Sequence, residues 1–189
     1  MTPFEFVFAM VSVITSLALV QIVTGVVELI RHRGRHGFSG PHSLWVATAF
    51  TLVVSNWASF WPSHNLTRWS SLPVFTVLIS MVLLYAFTAF VIPDPSADER
   101  GDFSTFHERE GRRYITTHAI FACTAIAWSL AYYGLSLRAL SDSHFAIVAL
   151  VLSMLALLFL HVRSLQWLLA AALLINTAWM MWPTISISA

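Results

Sequence analysis

Charged positions cut this chain into long apolar runs. Taking Asp, Glu, Lys and Arg as breaks leaves six stretches of twenty residues or more: 6–27, 36–67, 69–93, 114–137, 143–162 and 164–189. A helix rises about 1.5 Å per residue and the hydrocarbon core of a bilayer is about 30 Å thick, so about 20 residues cross it. The pattern predicts membrane-crossing helices near 4–30, 43–62, 72–92, 112–135, 144–161 and 165–182. The stretches lack the period-two alternation of barrel strands, and lipid offers backbone polar groups no partner, so helices are required. The predicted fold is all-α: a polytopic integral membrane protein, one transmembrane domain over residues 1–189, built as a bundle of six helices with short loops. The N-terminal segment lacks a basic region and a small-residue cleavage site, so the first helix is read as retained.

Arginines set the orientation. Eight of the ten fall in the connections after the first, third and fifth helices: Arg31, Arg33 and Arg35; Arg100, Arg109, Arg112 and Arg113; and Arg163. The opposite side holds Arg68 and Arg138. The positive-inside bias places the arginine-bearing connections in the cytoplasm and both termini outside it. Trp57, Trp61, Trp69, Tyr132, Tyr133, Trp179 and Trp182 fall where outer headgroup anchors belong, and Trp45, Tyr114 and Trp167 where inner anchors belong.

The longest polar connection is 93–113. Pro93 and Pro95 stop the third helix, and Thr105 with Glu108 fits a capping box that starts the fourth in the cytoplasm. That extension runs through His107, with Gly111 as a point where it can bend. No room is left for a soluble catalytic domain.

Composition narrows the class further. With 58% hydrophobic and 10% charged residues, the chain falls far below the roughly 25% charged content of soluble domains. A net charge of +1 gives no basic face, so nucleic acid is excluded as a partner. The composition suits a bacterial inner membrane. The lipid bilayer is the expected partner, and six short spans enclose so little interior that a homo-oligomer, or a subunit of a membrane complex, is expected.

Polar residues inside the spans are the candidate chemistry. Thr48, Thr51, Ser55, Ala58 and Ser59 share one face of the second helix, and His118, Ala122, Ala125, Ser129 and Tyr132 one face of the fourth. Such faces let helices approach closely or line a narrow path. The first helix turns Glu5, Ser12, Thr15 and Ser16 one way and Gln21, Thr24, Gly25 and Glu28 roughly the opposite way, which predicts protein around both halves and a place at the bundle's centre. Glu28, His118 and His161 come from three helices at one membrane level, and ionisable groups at depth are functional candidates by default.

Glu28, His32 and His36 are spaced by four, so His32 and His36 form a candidate metal pair if the first helix continues, although Gly34 and Gly37 argue that it ends. Six histidines at the arginine-bearing side (His32, His36, His42, His107, His118 and His161) also permit proton transfer or pH sensing. Lys is absent from the chain, which excludes a Schiff-base lysine, and the lone Cys123 excludes a disulfide or a cysteine-based metal site. Phosphate loops, G-x-S-x-G and H-E-x-x-H are missing. The halves show no repeat, and proline is confined to the ends of the helices, so the broken-helix pattern of many transporters is not seen. Three readings remain: a channel, carrier or accessory subunit; a haem- or metal-binding oxidoreductase using His118, His161 and His32; and a sensor or interaction partner acting through the charged loop 94–113. Neither catalytic residues nor a cofactor are fixed by the sequence.

Overall fold

The computed structural model describes residues 2–31, 39–61, 64, 71–93 and 103–185. Within them the chain forms α1 (Pro3–Arg31), α2 (Gly40–Ser59), α3 (Ser71–Val91), α4 (Phe103–Tyr133), α5 (Leu137–Asp142), α6 (His144–Leu158) and α7 (Arg163–Ile185), and no strand. Two helices, α1 and α3, and the Thr105–Tyr133 part of α4 are long and apolar enough to cross a membrane; α6 is apolar but shorter.

Local chemistry sets the helix ends. Thr2 and Glu5 cap α1 reciprocally: the Thr2 backbone N–H donates to Glu5 Oε2 at 2.8 Å and the Glu5 N–H to Thr2 Oγ1 at 3.2 Å, with Pro3 in the first turn. Gly134 ends α4 with φ +66°, a conformation that suits glycine, and its N–H reaches the Leu130 carbonyl at 2.9 Å. Ser136 then caps α5 by accepting from Ala139 N–H at 3.2 Å. This short helix occupies a stretch expected to be a loop. The start of α4 differs as well. The helix begins at Phe103, ahead of the Thr105 cap expected from sequence, and runs unbroken through Gly111. Gly111 is buried against Leu160, where a Cβ would lie 3.0 Å from a methyl carbon, so it is a site of close approach and not a bend.

Successive long helices run in opposite directions. On one end of the bundle Ser12 meets Trp57, Ser55 meets Thr177, Asn176 meets Phe145 and Ser129 meets Asp142. On the other, Gly25 meets Ile92, Gly40 meets Trp167, and Gly111 meets Leu160. The second end carries Arg31, Arg109, Arg112, Arg113 and Arg163, and is called the arginine end below.

The expectation that the first helix is central does not hold. α2 is the inner element: it packs against α1, α3, α4 and α7, whereas α1 touches only α2 and α3. The reason is legible in the side chains. α1 leaves Val13, Leu17, Val20, Val23, Val27 and Ile30 exposed, while α2 buries Trp45, Thr48, Ala49, Val53 and Ser55 almost completely. The small residues of α2 allow neighbours on several sides.

Candidate functional site

The buried imidazoles of His42, His107 and His118 and the Gln166 amide lie toward the arginine end, on α2, α4 and α7. The first turns of α4 lie against the bundle, burying Phe106 and His107. His42, from the first turn of α2, meets the Phe106 ring edge-on at 5.2 Å and the Tyr114 ring at 6.4 Å. The His107 Nδ1 and the Tyr114 hydroxyl share a short hydrogen bond. Tyr114 also packs edge-on against Trp45 at 5.5 Å, and Trp45 against His118 at 5.8 Å. His107, Gly111, Tyr114 and His118 follow the i, i+4, i+7, i+11 spacing of one helical face. That spacing is why one helix supplies so much of the cluster.

Gln166 of α7 joins the group through its amide. Both Nε2 protons are engaged, one by the Ala156 carbonyl at 2.7 Å and the other by the Phe159 carbonyl at 3.1 Å. The Ala156 carbonyl is one of those that the end of α6 leaves open, and the Phe159 carbonyl also accepts from the Val162 N–H at 3.0 Å. The amide is thereby fixed beside His107, and neither Gln166 Oε1 nor His107 Nε2 makes a hydrogen bond among the described residues. At 1% exposure, Gln166 is among the most deeply buried polar residues of the chain.

His118 lies deeper along α4. Its ring packs against Trp45 and, at 5.1 Å, Phe87, and its Nδ1 is 2.8 Å from Ser153 Oγ. Ser153 donates its single proton to the Ala149 carbonyl at 2.7 Å. Its oxygen must therefore accept from His118, which assigns the proton to Nδ1.

The sequence candidates divide as follows. His118 is in the cluster. Glu28 stays on its own helix, 3.3 Å from Arg31 and partly exposed, and His161 is exposed in the turn between α6 and α7. Among the described residues no three His, Cys, Asp or Glu side chains gather as metal ligands, so Glu28, His118 and His161 do not form such a group. His32 and His36 lie outside the described residues. On α2, Thr48 donates to Leu44 O at 2.8 Å, Ser55 to Thr51 O at 2.6 Å, and Ser59 to Asn56 O at 2.7 Å. Thr48 and Ser55 are buried and Thr51 and Ser59 half-buried, so the face packs against neighbours with its hydroxyls turned to its own backbone. Ser129 donates to Asp142 Oδ2 at 2.5 Å and ties α4 to α5.

Trp45 and Tyr114, read from sequence as headgroup anchors, are both fully buried. The inner-end position was the only signal used, and it is ambiguous between an anchor and the rim of a packed core. Gln166 and Phe106 had no role in the sequence reading. A lone amide in the apolar run 164–182 was the available signal for Gln166. No protein-family model, curated protein or solved structure matches the chain.

Proposed function

We propose that the chain is a six-traverse integral membrane protein that acts as a small proton-responsive carrier or accessory subunit, with the cluster of His42, His107 and Tyr114 as its working centre. The six traverses are supported by the pairing of helices. α2 and α7 lie along each other from Gly40 and Trp167 to Ser55 and Thr177, and α6 follows both α4 and α7. α2 packs on α1, α3 and α4, α6 on α4, and α7 on α2 and α6, which supports a traverse for each of them. The arginine-bearing end is then cytoplasmic by the positive-inside bias.

The observation that carries the proton reading is the hydrogen-bonded pair of His107 and Tyr114, sealed beside a second buried imidazole where three helices meet. Protonating a ring there adds charge to a site closed to water, which biases the packing of the α4 start against α2 and α7. A hydrated ion needs a lined path, and the hydroxyls of α2 do not offer one. The polar series on α4 also breaks at Ala122 and Ala125 before Ser129, which favours sensing over conduction across the whole bundle. Nothing among the described residues favours the haem or metal reading: no three His, Cys, Asp or Glu side chains gather as ligands.

The test is hydrogen exchange of the reconstituted protein as a function of pH. Amides of residues 103–111 are expected to change protection as the pH is lowered from about 7 towards 4, since charging a ring sealed from water takes more acid than charging a free one, and to lose that response in His42→Phe with His107→Phe. A response that survives both substitutions refutes the assignment.

A further inference from the structure

The peripheral place of α1 leaves its polarity unexplained. Gln21, Thr24 and Glu28 continue from Leu17 at i, i+4, i+7 and i+11, the seam spacing of a left-handed helix pair. Leu17 and Thr24 are exposed and Gln21 and Glu28 half-buried, at the edge of the face that α1 buries through Ala18, Ile22 and Gly25. Of the outer polar residues of α1, Glu5 is held by Thr2, Ser12 by the Trp57 indole at 3.2 Å and Ser16 by the Ser12 carbonyl at 2.7 Å, while the Thr15 hydroxyl is buried in the bundle without a hydrogen bond among the described residues. Gln21 and Thr24 have no such hydrogen bond to a described residue. Gln21 is ten residues from Arg31, about 15 Å along the axis, which is near the middle of a bilayer of about 30 Å. At that depth the amide cannot reach water.

We propose that a second copy of this chain packs on the stripe of Leu17, Gln21, Thr24 and Glu28, forming a two-fold dimer through parallel α1 helices. The inference rests on α1 crossing the membrane. Two copies inserted the same way are related by an axis along the membrane normal, so each residue meets its counterpart at equal depth. The chemistry of the stripe is self-complementary. A glutamine amide is both donor and acceptor, so two Gln21 side chains satisfy each other reciprocally, and the Thr24 hydroxyl has the same dual character. At the arginine end, Glu28 and Arg31 present opposite charges side by side, so either can face its opposite across the axis. Polar residues of this kind hold membrane helices together where lipid removes the hydrophobic drive.

The experiment is disulfide cross-linking of the full chain in native membranes, in a Cys123→Ser background. Thr24→Cys is expected to form a homodimer on oxidation, and Ile79→Cys, on the exposed face of α3, is not. Adding Gln21→Leu to Thr24→Cys is expected to slow cross-linking about tenfold, the scale of one or two interhelical hydrogen bonds. Equal cross-linking of Thr24→Cys and Ile79→Cys, or a Thr24→Cys rate indifferent to Gln21→Leu, overturns the dimer. A membrane-impermeant maleimide separates the two claims. Labelling of Thr24→Cys in leaky vesicles removes the membrane placement of α1, whereas no labelling combined with no homodimer removes the interface alone.

Discussion

Removing the Tyr114 hydroxyl isolates the bond on which the proposed centre depends. Tyr114→Phe keeps the ring contacts with Trp45 and His42 and deletes only the oxygen bonded to His107 Nδ1. Tyr114 is fully buried and His107 is 5% exposed, so water does not replace the lost partner. A buried polar group left unsatisfied costs about 1–3 kcal/mol, against the roughly 0.5–1.5 kcal/mol net value of an intact hydrogen bond. His107→Leu strands the same bond from the other side and also removes the contact with Gln166. Each single substitution is therefore expected to destabilise by about 1–3 kcal/mol.

The double variant separates the bond from everything else. With both polar atoms of the bond gone neither strands the other, and whatever His107→Leu costs at Gln166 appears equally with and without the hydroxyl, so it cancels in the cycle. Coupling of about 1 kcal/mol is expected, inside the range of roughly 0.6 on average to 1.7 at most that such cycles give in membranes. The assay is reversible unfolding in mixed micelles of increasing denaturing-detergent content, read by far-ultraviolet circular dichroism for the parent and the three variants. Coupling within about 0.3 kcal/mol of zero, the usual scatter of independent sites, refutes the claim that His107 and Tyr114 act as a unit.

A Cβ on Gly25 would lie 2.2 Å from Ile92 Cγ2, so Gly25→Leu is expected to cost about 1–3 kcal/mol by overpacking, and Ile92→Ala in the same chain is expected to recover part of that loss in the same micelle assay. Leu135 is 97% exposed between α4 and α5, and His161 is exposed at the opposite end. In a Cys123→Ser background, Leu135→Cys is expected to react with impermeant maleimide in intact cells and His161→Cys only after permeabilisation; the reverse order refutes the orientation drawn from the arginines.

The helices were legible in the sequence because their signal is one-dimensional: a run of apolar residues needs no knowledge of its neighbours. Their arrangement needs that knowledge, and there the two faces of α1 misled. Polarity on opposite sides reads as burial on both sides only if all the covering protein is the chain itself. Glu5 and Ser12 find partners in Thr2 and Trp57 and Thr15 is buried in the bundle, whereas Gln21 and Thr24 lie off the buried face, so their polarity points to a partner across an interface. The site divides along the same line. His118 was legible because an imidazole within a span stands out against its own segment. His42 and His107 were legible only as members of a set of six histidines, and Gln166 not at all: each lies within a few residues of a predicted helix end, where the cost of polarity is lowest and a headgroup anchor and a buried partner look alike. Their convergence depends on α4 starting at Phe103 and folding its first turns onto α2 and α7, which brings Phe106 to His42 and His107 to Gln166. The extra helical turns ahead of Arg112 thus do more than lengthen a span. They close the arginine end over its own histidines, and a charge placed there acts on the contact that holds α4 to the rest of the bundle.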